Sequence, residues 1–170
     1  MTGKLFGLLF LACLFLVQPV LAEETTIVLH GEVNWVYDGD TLQVSSIGKV
    51  RLVGIDSPEK EASSRDQYLL DKGIPAATQR EIYRAAKEFN INQVKGKDVT
   101  LVLEDSARDR HGRLLAYVYL PDGRLLNRLL IEQGLAVVYR RFTFSMKQEF
   151  LEAEAEAVLN GAGMWAKPKE

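Results

Sequence analysis

Between residues 26 and 55 the chain alternates short apolar runs with turn residues. Ile27 to Tyr37 is followed by Asp38-Gly39-Asp40, Thr41 to Ser45 by the turn Ser46 to Lys49, and Val50 to Ile55 closes the series. Runs of this length, rich in β-branched residues and bounded by Gly, Asp and Ser, predict three antiparallel strands. The Asp38-Gly39 pair is expected to supply the positive φ of a tight hairpin turn. Pro58 and the charged stretch Glu59 to Lys72 interrupt the pattern. Pro75 then stands at the expected first position of a helix over residues 75–90, with Ile82, Ala85, Ala86 and Phe89 at helical spacing. Val99, Leu101 and Leu103 fall at alternate positions, and Leu114 to Leu120 is a second apolar run. These predict two more strands, joined by a polar loop over residues 105–112. Past the Pro121-Asp122-Gly123 turn, Asn127 is expected to start a short helix that Gly134 ends. Ser145 and Gln148 have the form of a capping box for a last helix, whose apolar face is Phe150, Leu151, Ala153, Ala157 and Val158 and whose end is Gly161.

The order βββ-α-ββ-α-α carries no repeat, low-complexity tract or interdomain linker. Five short strands with helices predict a mainly β, α+β domain, a five-stranded Greek-key barrel of the OB type with three helices. At the N-terminus, Lys4 precedes an apolar run from Leu5 to Val17, and Val20-Leu21-Ala22 is followed by Glu23-Glu24. This is the form of a signal peptide over residues 1–22, cleaved after Ala22, with residues 23–170 as the mature domain. An uncleaved anchor is the competing reading, disfavoured by the short apolar stretch and by Pro19. The expected location is periplasmic or extracellular.

Charge and cysteine content narrow the chemistry. With 21 Lys+Arg against 23 Asp+Glu, the net charge of −2 excludes a scaffold held to nucleic acid by bulk charge, so any polyanion site is local. Cys13 is the single cysteine, in the segment expected to be removed, which excludes a disulfide framework or a thiolate zinc centre in the mature chain. His30 and His111 are the only histidines, too few for a multi-histidine metal site.

The unusual residues lie in the first hairpins. Arg51 interrupts an apolar strand, and Asp56 and Glu59 follow at its end, where burial would favour no charge. Pairing around the Gly48 turn brings Asp40 near Asp56. Two carboxylates, a backbone carbonyl and waters make an oxygen cage for a hard divalent cation, and calcium tolerates irregular cages better than magnesium. Turn capping would use Asp40 and Asp56 as well, and the residues alone leave both readings open. Arg113, after Gly112, adds a second guanidinium. Two arginines, a metal and a spare carboxylate suit phosphodiester cleavage, in which cations offset charge growing on the phosphoryl oxygens and the carboxylate takes a proton from water.

Asp38-Gly39-Asp40-Thr41, Val50-Arg51-Leu52 through Asp56-Ser57-Pro58-Glu59, Asp109 through Gly112-Arg113-Leu114-Leu115-Ala116, and Asn127 through Gly134-Leu135-Ala136 together resemble the staphylococcal nuclease (thermonuclease) family, over about residues 33 to 165. The resemblance implies an OB-fold barrel and a calcium-dependent endonuclease acting on DNA and RNA, leaving a 3′-phosphate and a 5′-hydroxyl. It implies Asp40 and Asp56 as calcium ligands, with the Ser57 carbonyl beside them. Glu59 takes the place of the general base, and Arg51 and Arg113 those of the phosphate-binding arginines. Asp38 and Asp109 fit secondary positions that orient their neighbours.

Two stretches depart from the family pattern. Residues 60–73 form a longer, more charged segment than the usual aromatic-glycine loop. Residues 137–142 match only loosely the stretch that supplies base-stacking aromatics. Tyr139, Arg140 and Phe142 are candidates to contact nucleic acid, single strands above all, since rings and guanidinium planes stack on any base. The two aromatics serve equally well as core residues. No stable protein partner is implied, and a monomer is expected. The rival functions are a non-catalytic nuclease-like OB module that binds single strands, whose kind generally lacks acidic or arginine positions that are all filled here, and an OB-fold binder of oligosaccharide or protein, suggested by fold alone.

Overall fold

The computed structural model describes residues 26–167, and the expected signal segment lies outside the described residues. Five strands close a barrel: β1 (Val28–Val36), β2 (Thr41–Val44), β3 (Gly48–Leu52), β5 (Asp98–Arg108) and β6 (Leu114–Tyr119), in the order β1-β2-β3-β6-β5. All neighbours are antiparallel except β3 and β6, which run parallel with Arg51 opposite Leu115. Two further strands, β4 (Ile55–Asp56) and β7 (Val137–Val138), pair outside the barrel, with Asp56 opposite Val137. The helices are α1 (Gln67–Leu70), α2 (Ala76–Val94), α3 (Leu126–Glu132) and α4 (Lys147–Leu159). The expected α+β barrel is thus observed, with one additional short helix. Among the described residues no helix is long and apolar enough to cross a membrane.

The third expected strand, Val50 to Ile55, is divided in two. Gly54 has φ +79°, and a Cβ there would stand 2.5 Å from the Phe144 ring. The chain turns at this glycine, so Ile55 and Asp56 leave the barrel and pair with β7. Asn127 holds the turn. It is fully buried, its Oδ1 accepts the Val118 N–H at 3.0 Å, and its Nδ2 donates to the Val53 carbonyl at 2.9 Å. Asn127 was expected to start α3; it lies inside the helix and its side chain ties two strands together.

Other differences have local causes. The Ser145 Oγ donates to Glu104 at 2.6 Å instead of capping α4, which begins after Met146 without a side-chain cap. β5 runs on to Arg108 through a register shift, so much of the expected 105–112 loop is strand. α2 extends to Val94, with Pro75 preceding its first turn, and buries Gln79, Ile82, Ala86, Asn90 and Val94. Ala85, expected on that face, is exposed. Two polar members of the buried face are tied to backbone carbonyls: Gln79 to Ile74 at 3.0 Å and Asn90 to Asp38 at 3.2 Å. These bonds make their burial affordable in a helix that packs on the Asp38 turn.

Candidate active site

The site grows from the β1–β2 turn. Asp38 Oδ1 accepts the Asp40 N–H at 3.0 Å, folding the turn on itself. Gly39 has no positive φ, contrary to expectation; its requirement is space, because a Cβ would lie 2.6 Å from the Ser57 Oγ and 2.7 Å from Ala86. With the backbone this close, Asp40 is 3% exposed, and its Oδ2 accepts the Ser57 N–H at 3.0 Å.

Opposite Thr41 in the β2–β3 ladder stands Arg51, 9% exposed. Its Nη1 bonds Asp40 Oδ1, and its Nη2 bonds Asp56 Oδ1 at 2.7 Å and the Ile55 carbonyl at 3.2 Å. One guanidinium therefore joins two aspartates that stand sixteen positions apart in the sequence. Thr41 Oγ1 donates to Asp40 Oδ1 at 3.0 Å and accepts from Arg113 at 3.2 Å, bringing the second arginine to the same cluster. Arg113 is steadied in turn by Asp109, whose Oδ2 accepts the Nε–H at 2.8 Å and whose Oδ1 accepts the Arg113 backbone N–H at 3.0 Å.

Glu59 joins through a residue that sequence reasoning passed over. Arg65 bonds Glu59 Oε1 with Nη1 and Asp56 Oδ1 with Nη2. The polar run Ser63-Ser64-Arg65-Asp66 was the available signal, hidden because residues 60–73 looked like an irregular loop. Arg51, Asp40, Asp56, Glu59 and Arg113 are thus linked through direct bonds and through Thr41 and Arg65.

Burial and charge set the protonation pattern. Burial pushes Asp40 up, but Arg51 and the Ser57 N–H outweigh it and hold the carboxyl below its ordinary value. Asp56 is raised, burial exceeding the pull of Arg51. Asp38 is pushed up to about 7 by burial and then by the Asp40 charge. Burial also works against the Arg51 cation, yet Asp40 and Asp56 raise its affinity for the proton.

Tyr139, Arg140 and Phe142 follow β7, next to the strand that carries Asp56. The Tyr139 and Phe142 rings are 5.1 Å apart, and Phe142 is 38% exposed. Arg140, the third candidate contact, is partly exposed and also bonded within the fold. Its guanidinium bonds the buried Glu154, the Val138 carbonyl at 3.1 Å and the Tyr68 hydroxyl at 3.0 Å, so its donors are engaged within the fold. Glu154 also accepts the Val138 N–H at 2.8 Å, a tie that an apolar helix face gave no reason to expect.

Among the described residues no group of three or more His, Cys, Asp or Glu side chains forms a ready metal cage. A cation here would rest on two carboxylates, backbone oxygen and water.

The barrel thus carries at one end a cluster of aspartates, a glutamate and arginines. The family model described as staphylococcal nuclease homologue matches residues 49–167, a stretch that begins after Asp40, whose place in the site rests on the geometry above. The chain is 36% identical over 149 residues to an uncharacterized protein of Methanocaldococcus jannaschii, covering 80% of this chain and 71% of the relative. It is 32% identical over 151 residues to an uncharacterized endonuclease of Escherichia coli O157:H7, covering 87% and 82%. A thermonuclease of Staphylococcus hyicus is 27% identical over 135 residues, covering 77% and 72%. The chain belongs to the staphylococcal nuclease homologue family and is a hydrolase of the nuclease class.

Proposed function

We propose that this chain is a secreted, calcium-dependent endonuclease that hydrolyses phosphodiester bonds of DNA and RNA, single strands preferentially, leaving 3′-phosphate and 5′-hydroxyl ends. The observation that supports it most directly is Arg51 bonded to both Asp40 and Asp56, which draws two carboxylates and a cation to one end of the barrel.

The donor set fits a hard divalent ion. It is all oxygen: two carboxylates, a backbone carbonyl and water. Asp40 and Asp56 would hold calcium, with the Ser57 carbonyl and water completing the shell. When bound, the ion supplies Lewis-acid stabilisation of charge on the phosphoryl oxygens. Glu59 accepts a proton from the attacking water. Arg51 and Arg113 donate to the phosphoryl oxygens as their charge grows, and Asp109 keeps Arg113 aimed. Tyr139 and Phe142 offer ring faces for bases. Arg140 contributes by fastening the strand beside Asp56 to Glu154. The Lys4, apolar and Ala22 pattern supports export.

The test is digestion of single-stranded DNA by the mature chain, residues 23–170, with calcium or with a chelator, beside Glu59→Gln. Cleavage is expected only with calcium, and the variant should lose about 100-fold in rate while binding metal normally. Binding without cleavage in any divalent metal would replace this reading with the non-catalytic module.

A further inference from the structure

Residues 60–73 depart from the family pattern, and they are built around one cation. The Ser63 Oγ accepts the Arg65 N–H at 3.2 Å, starting a 3₁₀ turn over Ser64–Asp66 that runs into α1. Asp66, buried, accepts from Arg80 of α2 at 2.7 Å, while Gln79 donates to the Asp66 carbonyl at 3.3 Å. Leu69 and Ile74 are buried in the core and joined by a backbone hydrogen bond of 3.0 Å. The segment is thus anchored immediately after Arg65, whose guanidinium reaches over the site wall formed by Asp56, Ser57 and Glu59.

The bonding pattern is selective. Nη1 takes one oxygen of Glu59, and Nη2 takes the Asp56 oxygen already bonded by Arg51. Among the described residues, no hydrogen bond reaches Glu59 Oε2 or Asp56 Oδ2. Each carboxylate is clamped at one oxygen and presents the other. The pair does little for the fold, because Arg65 and Glu59 are 49% and 38% exposed, and ion pairs so exposed add little to stability. What a two-armed planar guanidinium does provide is direction: an exposed glutamate has several rotamers, and bridging it to a second, partly buried carboxylate selects one.

We propose that Arg65 is a positioning residue for the reaction: it holds Glu59 against Asp56 so that the free Glu59 oxygen faces the attacking water. This rests on Glu59 being the general base. It assigns the departing segment a function, as a rigid arm that supplies a cation to the base.

The experiment is steady-state cleavage of single-stranded DNA in calcium by the protein and its Arg65→Gln, Arg65→Lys, Glu59→Gln and doubly substituted Glu59→Gln/Arg65→Gln forms. Arg65→Gln should lower kcat by about 10- to 100-fold, the scale of a misplaced catalytic group, with KM changed by less than about twofold. Its thermal midpoint should stay within about 2 °C of the parent. Arg65→Lys should recover only part of the loss, since one ammonium replaces a two-armed fork. In the Glu59→Gln background the Arg65→Gln change should have no further effect, because a residue acting through Glu59 has nothing left to position. A raised KM at unchanged kcat, an increased kcat, or losses that multiply in the double variant would each overturn the proposal. If the parent protein cuts and Arg65→Gln cuts equally, this inference alone falls; if the parent does not cut under any divalent metal, the nuclease reading falls and takes this one with it.

Discussion

A Cβ on Gly39 would stand 2.6 Å from the hydroxyl oxygen of Ser57, closer than two such atoms approach. The turn that carries Asp40 and the strand end that carries Asp56 and Ser57 are pressed together at this point, and the Ser57 N–H reaches Asp40 because of it. Gly39→Ala should therefore force the two apart. Overpacking of this kind costs about 1–3 kcal/mol, and cleavage should fall by about 10-fold or more as the carboxylates lose register. Thermal melts and initial rates check both, and a Ser57→Gly change in the same chain should restore part of each. Full activity and stability in Gly39→Ala would show that the close approach is not needed.

Arg51→Lys is formally conservative but geometrically is not. The guanidinium spans Asp40 and Asp56 with separate nitrogens, and a lysine ammonium would satisfy one while leaving the other buried and poorly paired. The expected result is a loss of about 100-fold or more in kcat/KM, with destabilisation of about 3 kcal/mol from the orphaned buried carboxylate. Kinetics and urea unfolding measure the two. Equal activity in the variant would remove the bridge from the catalytic account.

Asn127→Leu tests the turn that sends β4 out of the barrel. The substitution keeps the volume roughly but strips the Val118 N–H and the Val53 carbonyl of their partner in a fully buried place. Unsatisfied buried groups cost about 1–3 kcal/mol each, so the urea midpoint should drop markedly. A small change would mean that water or backbone relaxation supplies the missing partners.

The Asp109 carboxyl gives a pH signature. Burial pushes it up, but the Arg113 and His111 donors outweigh that and hold it below its ordinary 3.8. A depressed carboxylate contributes stability above its unfolded value and loses that contribution as pH falls through its folded value. Asp109→Asn should thus lower the thermal midpoint by a few degrees at pH 7, in keeping with about 1 kcal/mol of hydrogen bonding. The difference should shrink as pH falls below about 4, approaching zero once the parent carboxyl is itself protonated. A gap that is constant from pH 7 to pH 3 would rule out the ion pair as its origin.

The strands of the barrel were legible because each presents its apolar residues in a run with turn residues at both ends, a local pattern. The cluster at the candidate site was legible for a related reason: Arg51 stands out in an apolar strand, and Asp56 and Arg113 stand beside strand ends where charge accumulates without a packing motive. Gly39 was visible as a glycine, but its reason was misassigned, since positive φ is a property of one residue and crowding by Ser57 and Ala86 is a property of three elements. Ser145 had the right spacing for a cap and found Glu104 instead, 41 residues away in sequence.

By itself, the sequence determined the five barrel strands and the three longer helices in their order, and which charged residues stand out of place, because hydrophobic period and turn residues act over a few positions. The tertiary structure decided the rest. It divided the third strand at Gly54, assigned Asn127 and Glu154 to bind backbone, engaged Arg140 within the fold, and brought Arg65 onto Glu59 and Asp56. Each of these joins groups far apart along the chain, and the free energy that selects them comes from burying polar atoms only where a partner meets them. Such partners exist only once the barrel has closed.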